Sequence, residues 1–345
     1  MNLFNGHKDS VETNFVNTED VRHRTKDVPD VLFHMPDDMH PAILSRLIYS
    51  YTEAYNFTVF PAMLITLWQK KRIALRLRDD PWSEYLPVEL DISKEKGVED
   101  LPPYEKAVFD IFDGFGQGTI NAEEIENKIR KNTTRVETLL SHSAYTITQE
   151  IKEKGALETV DLPLQKGEHP PLKPLVKILV YLSLFLCFFA GAEIHRALFL
   201  LSAVPIYFIF FRKTGQTGQR LTEEMEVSVA KWDAWVHFID EMTNYPEQAR
   251  RITVREWDRA IPYLLVTHRL EKALKDILEV SGVRSSDREF RKSILQSFYH
   301  TDVDGNLSLE STLLTFLQEF EKACIHVFYV SKSGRHDFSF KRKGY

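Results

Sequence analysis

Between Ile178 and Phe211 lies a 34-residue tract that is almost wholly apolar except at its middle, where EIHR places Glu193, His195 and Arg196. As one straight helix it would be about 51 Å long, against a bilayer hydrocarbon core of about 30 Å. A single span would also put an acid and an arginine near mid-bilayer, at about 2.5–3.5 kcal/mol each. Dividing the tract at EIHR removes both difficulties. ILVYLSLFLCFFAGA (178–192) and ALFLLSAVPIYFIFF (197–211) become two helices, and Glu193, His195 and Arg196 become the hairpin turn. Gly191 weakens helix continuity just before the charges. Each half is about 22 Å long. Leu175 and Val176 extend the first, with Lys177 reaching to the headgroups. Pro205 is tolerated in a membrane helix. The competing arrangement, a hairpin buried in a soluble core, needs a large shell to cover runs that are apolar on every face. The sequence therefore predicts a transmembrane helical hairpin over 174–213.

The flanks orient it. Lys173 and Lys177 precede the pair, Arg212 and Lys213 follow it, and the turn carries only Arg196 beside Glu193. Positive flanks stay cytoplasmic. The expectation is a multi-pass protein of the cytoplasmic membrane, with two spans, both termini cytoplasmic and the lipid bilayer as first partner. Two cysteines, Cys187 and Cys324, do not make a disulfide framework. The start, MNLFNGHKDSVETNF, lacks a basic region followed by an apolar run, so no signal peptide is expected. A net charge of −6 argues against a whole-protein nucleic-acid binder.

Around the hairpin the chain reads as helical. Residues 1–37 form a polar N-terminal arm, expected to be loose. In 38–98, PAILSRLIYSYTEAY and FTVFPAMLITLWQKK show helical periodicity, then RIALRLR and VELDI alternate as strands. Helices followed by a two-stranded hairpin are a winged-helix-like arrangement. Residues 99–165 read as a second, wingless helical unit, 220–330 as a helical cytoplasmic domain and 331–345 as a basic tail. The fold class predicted is mainly α with a small β component, the membrane hairpin joining winged-helix-like and helical cytoplasmic domains.

Lys70, Lys71, Arg72, Arg76 and Arg78 cluster at the end of the second helix and on the wing, suited to an anionic surface. DNA reading is poorly supported. The helix before the wing offers only Gln69 and hydroxyls for base edges, so nucleic acid is not the expected partner. Three ligand-like motifs also fail on inspection. HMPDDMH brings His34, Asp37, Asp38 and His40 close in sequence, but at no zinc spacing. DGFGQG follows a helix, lacks a lysine after its glycines and has Phe115 and Gln117 where a calcium loop needs ligands, so it reads as a turn. TDVDGNLSLEST has Leu307 and Leu313 in place of the turn glycine and the bidentate glutamate. His268 has no partner set suggesting catalysis. With no nucleophile–base pair, metal set or phosphate loop, the expected function is non-enzymatic binding or scaffolding at the inner face of the membrane. No cofactor is expected, and a protein partner in the membrane or envelope is. The alternative is a membrane-tethered nucleic-acid-binding regulator using the wing.

MHPAILSRLIYSYTEAYNFTVFPAMLITLWQKKRIAL, the hairpin, and then LTEEMEVSVAKWDAWVHFIDEM and REWDRAIPYLLVTHRLEKAL follow one order. Over about residues 36–280 this resembles the C-terminal half of the YciQ-like predicted bacterial membrane proteins, a family of unknown function. The carrying motifs are structural; none is catalytic. The resemblance implies a preceding signal segment, an extracytoplasmic β domain and an earlier span, and a glycine-rich end. This chain shows none of these, so it is expected to be a shortened member or part of a longer product.

Overall fold

A computed structural model of the chain describes residues 25–36, 39–48, 56–77, 88–92, 98–116, 118–120, 122–161, 217–280 and 287–333. The predicted hairpin, with Lys173, Lys177, Glu193, His195, Arg196, Arg212 and Lys213, lies outside them. Among the described residues no helix is long and apolar enough to cross a membrane. They fall into two units, one made of residues 25–156 and 223–333, the other of 157–161 and 217–222.

The larger unit begins with α1 (Pro41–Ile48), α2 (Val59–Gln69), β1 (Ile73–Leu77), β2 (Val88–Ile92), α3 (Pro103–Asp113), β3 (Gly118–Ile120), α4 (Ala122–Lys131) and α5 (Thr133–Glu153). After β4 (Leu157–Asp161) and β5 (Thr217–Leu221), which form the smaller unit, it resumes with α6 (Glu223–Asp240), α7 (Pro246–Arg251), α8 (Val254–Val266) and α9 (Leu270–Val280), and ends with β6 (Tyr299–Thr301), β7 (Leu307–Leu309) and α10 (Ser311–Ser333).

The core is organised on α2. Each residue from Val59 to Leu67 is buried. A helix apolar on all sides must be covered on all sides, and α1, α3, α8 and α10 pack around it. Asn56 ties this arrangement together. Its side-chain amide donates to Ser45 Oγ and to the Val266 carbonyl at the end of α8, both at 3.1 Å, while its oxygen accepts from the Thr58 hydroxyl at 2.7 Å. Farther out, α10 buries Phe316, Phe320, Cys324 and Val327, with Phe320 edge-on to Phe112 at 4.9 Å. Trp232 of α6 stacks on Tyr263 of α8 at 4.5 Å.

β1 and β2 pair antiparallel, Ile73 opposite Ile92 and Leu75 opposite Leu90, and this alternation puts Ile73, Leu75, Val88, Leu90 and Ile92 in the core. β3 then pairs with β2, Val88 opposite Ile120. The sequence does not predict this third strand, which lies in the segment expected to be wingless; three residues are too few for alternation to register. The arm also differs from expectation at its near end. Leu32 N–H donates to the Ala234 carbonyl at 3.0 Å, and Phe33 packs edge-on to Phe238 and Tyr245. This apolar foot docks the stretch on α6.

TDVDGN is the turn between β6 and β7. Asp302 accepts from the backbone N–H groups of Asp304 and Asn306 at 2.9 and 2.8 Å and from the Asn306 side chain at 3.0 Å, so its oxygens close the loop on itself. Gly305 takes φ 84°, which glycine adopts without penalty.

The smaller unit is a two-stranded antiparallel ribbon with Leu157 opposite Leu221 and Asp161 opposite Thr217.

Candidate functional site

α2 ends in two consecutive lysines that go to different places. Lys70, at the C-cap, reaches Glu105 in the first turn of α3, with Nζ 2.7 and 2.6 Å from its two carboxylate oxygens. His40 completes this cluster. Its Nδ1 accepts the Ala42 N–H that caps α1, which leaves the proton on Nε2 for Glu105 Oε1 at 2.6 Å. Glu105 is fully buried. Burial would raise its pKa, but the donors His40 and Lys70 outweigh burial and hold it below the ordinary carboxylate value. Next to it, burial and then Glu150 push the Tyr104 hydroxyl well up. All charges here are matched, and the cluster pins α1, α2 and α3 together.

Lys71 points elsewhere. It adopts φ 59°, the left-handed conformation that usually falls to glycine after a helix. Its N–H donates to the Trp68 carbonyl at 2.8 Å and Arg72 N–H to the Leu67 carbonyl at 2.9 Å, which closes α2 as a Schellman motif. α5 ends the same way with Gly155, at φ 63°. Lys71 therefore holds a conformation that costs a non-glycine residue about 1 kcal/mol or more.

Lys71 lies on the rim of a cleft of about 490 Å³. One wall is β1 and β2, contributing Ile73, Ala74, Arg76 and Asp91. The other is the first turns of α8, with Arg255, Asp258 and Arg259, and the adjoining Lys292 and Ile294; Trp68 and Gln69 line it from the end of α2. The far wall is well fixed. Thr253 and Glu256 form a capping box at the start of α8. Pro262 has no N–H, so the Asp258 carbonyl four residues earlier loses its helical donor. Gln69 supplies one instead, its Nε2 donating to Asp258 O at 2.6 Å. The Asp258 carboxylate accepts the N–H groups of Ile294 and Leu295 at 3.1 and 2.7 Å, which anchors the 3-10 turn Leu295–Phe298. Burial raises its pKa, and the two backbone donors offset part of the rise. Arg255 and Arg259, four residues apart, share one face of α8 and are exposed. The lining thus carries five cationic side chains against two carboxylates, one already engaged by backbone.

A family model described as "Predicted membrane protein (DUF2207) C-terminal domain" matches residues 30–265, which takes in α1 to α8 and both strands of the ribbon. The chain belongs to this family. DUF2207 members are predicted membrane proteins, and the match places this chain among them. No curated protein and no solved structure matches the chain.

In this DUF2207 chain the basic residues expected at an anionic surface separate. Lys71 and Arg76 line the cleft, and Lys70 turns inward to Glu105. Arg72 is half-buried, its Nε without a hydrogen-bond partner among the described residues, and Arg78 lies outside them. Gln69, the side chain of α2 considered for base reading, is engaged by the Asp258 carbonyl. Of HMPDDMH, His40 belongs to the Glu105 cluster, and Asp37 and Asp38 lie outside the described residues. Among the described residues no group of His, Cys, Asp or Glu is placed to hold a metal. His268 ends α8 in the left-handed conformation at φ 57°; burial and then Arg269 lower its pKa. Arg255, Arg259 and Lys292 were not expected at a site. The available signal was a pair of arginines four apart in TVREWDR, Arg255 within and Arg259 just past the Thr253–Glu256 capping box, but nothing in sequence joins it to a strand about 180 residues earlier.

Proposed function

We propose that the chain is an integral membrane protein that crosses the cytoplasmic membrane twice, over 174–213, and holds its helical unit on the cytoplasmic side as a non-enzymatic binding or scaffolding module. The carrying observation is the β4–β5 ribbon. Its register sets Asp161 opposite Thr217, and paired residues in such a ladder are about 4.5–5.5 Å apart. The 162–216 segment therefore leaves and returns at one place. An even number of crossings accounts for that, and two fit the length of the apolar tract. The flanks Lys173, Lys177, Arg212 and Lys213 favour the cytoplasmic side for both ends. In this reading α1, α2 and the β1–β2 hairpin form a winged-helix-like element, and the chain falls in the YciQ-like group of its family. Its partners are the bilayer and a protein of the membrane or envelope.

The alternative, a nucleic-acid regulator, is weakened by two facts. The helix that would enter a groove is buried from Val59 to Leu67, and Gln69 is engaged. The topology is tested with tags at residues 1 and 345 and with a His195→Cys variant in intact cells. Both tags are expected to resist external protease, and the cysteine to react with an impermeant maleimide. Cleavage of either tag contradicts the reading.

A further inference from the structure

We propose that the cleft between β1 and α8 binds a phosphate-bearing ligand, with Lys71, Arg76, Arg255, Arg259 and Lys292 as its cationic contacts. The inference names the ligand class of the binding module and rests on that part of the functional reading, but not on the number of crossings.

Three observations lead to phosphate. The first is charge. Five cationic groups line the cleft against Asp91 and the backbone-engaged Asp258 among the described lining residues; Arg259 already interacts within the protein, so the excess is carried by Lys71, Arg76, Arg255 and Lys292. A single carboxylate ligand would leave most of that charge unmatched; a phosphate ester or diphosphate brings about two or more negative charges. The second is the donor type. Arg76 approaches from the strand and Arg255 and Arg259 from the helix, and guanidinium groups meet phosphate oxygens with two parallel N–H donors. The third is shape and rigidity. At about 490 Å³ the cleft is in the range of small-ligand sites, about 300–1,000 Å³. The backbone of its α8 wall is fixed through Gln69 and Asp258, so the ordering that accompanies binding is confined to the exposed side chains. The left-handed Lys71 fits the same account. A lysine stands where glycine would be more stable, at the rim of a cationic cleft.

Such a group arrives on a soluble phosphate ester or on a lipid headgroup. The full chain in phosphatidylcholine nanodiscs is titrated calorimetrically with sodium pyrophosphate, and separately with dioctanoyl phosphatidic acid. Sodium sulfate at matched ionic strength is the control. Saturable binding of pyrophosphate, weakened at least tenfold in Arg76→Gln/Arg255→Gln and unchanged in Lys275→Gln, supports a soluble ligand. The same pattern with phosphatidic acid alone supports a headgroup. Lys71→Gln/Lys292→Gln, which alters two other exposed side chains, gives the same comparison if the first pair lowers the melting temperature. Failure of both probes to saturate, equal binding of sulfate, or equal binding by the cleft variants overturns the proposal. Tag accessibility is unaffected by any of these outcomes, so topology and ligand class fail separately.

Discussion

Lys70 and Lys71 are neighbours in sequence and opposites in use. Lys70 closes a buried cluster in which Glu105 meets two donors and charge is balanced. Lys71 stands in a left-handed turn at the edge of a cleft where positive charge outweighs negative. A matched buried charge fixes the relative position of helices, because removing either side leaves the other stranded. An unmatched, exposed charge contributes little to folding and remains available to a ligand. Changes at the first cluster should alter stability and leave binding intact, and neutralising the cleft's exposed cationic side chains should alter binding and leave stability nearly intact.

Lys70→Met should have the largest effect. It leaves the buried Glu105 carboxylate with His40 only, and loss of about 2–4 kcal/mol is expected, less than for a fully buried pair because Lys70 is 40% exposed. Thermal unfolding in micelles measures this; a shift within error would show that the cluster is not structural. Next comes Asp258→Ala, which unpairs the Ile294 and Leu295 N–H groups, at about 1–3 kcal/mol. Because Asp258 fixes the cleft wall, pyrophosphate binding should also weaken, so this variant crosses the division.

The pH dependence is smaller. Glu105 has a folded pKa below its ordinary value of 4.5, so its contribution is fully present above about pH 4.5 and is lost as pH falls through the lower folded value. Glu105→Gln should flatten that acid limb in melting curves collected from neutral pH downward, and an unchanged limb would count against the cluster. Lys71→Gly should have the smallest effect on stability and the opposite sign, a gain of about 0.5–1 kcal/mol from relief of the left-handed lysine, together with weaker pyrophosphate binding. A loss of stability would mean that Lys71 is held by contacts that matter to the fold.

Much of the helical framework was legible because amphipathic periodicity is local. The helices at Pro41–Ile48, Val59–Gln69, Thr133–Glu153, Glu223–Asp240 and Val254–Val266 fall where the apolar stripes lie, and YSYTEAY lies outside the described residues. β3, β4 and β5 were not legible. GTI, LETVD and TGQRL are short and largely polar, and a strand that exists by pairing leaves little trace in its own residues. Half of the cleft was visible in KKRIALRLR. The other half comes from Arg255, Arg259 and Lys292, brought to β1 by the packing of α8 on α2, a contact decided by tertiary structure. The fate of Lys70 was hidden for the same reason, since Glu105 lies 35 residues away.

The direct test of this division is thermal melting of three proteins, with and without saturating pyrophosphate. They are the wild type, Lys70→Met and Arg76→Gln/Arg255→Gln. A ligand that binds only the folded state raises its melting temperature. The account predicts that Lys70→Met melts lower but keeps the wild-type increment, and that the cleft variant melts like the wild type but loses the increment. An increment lost in Lys70→Met and kept in the cleft variant would contradict it.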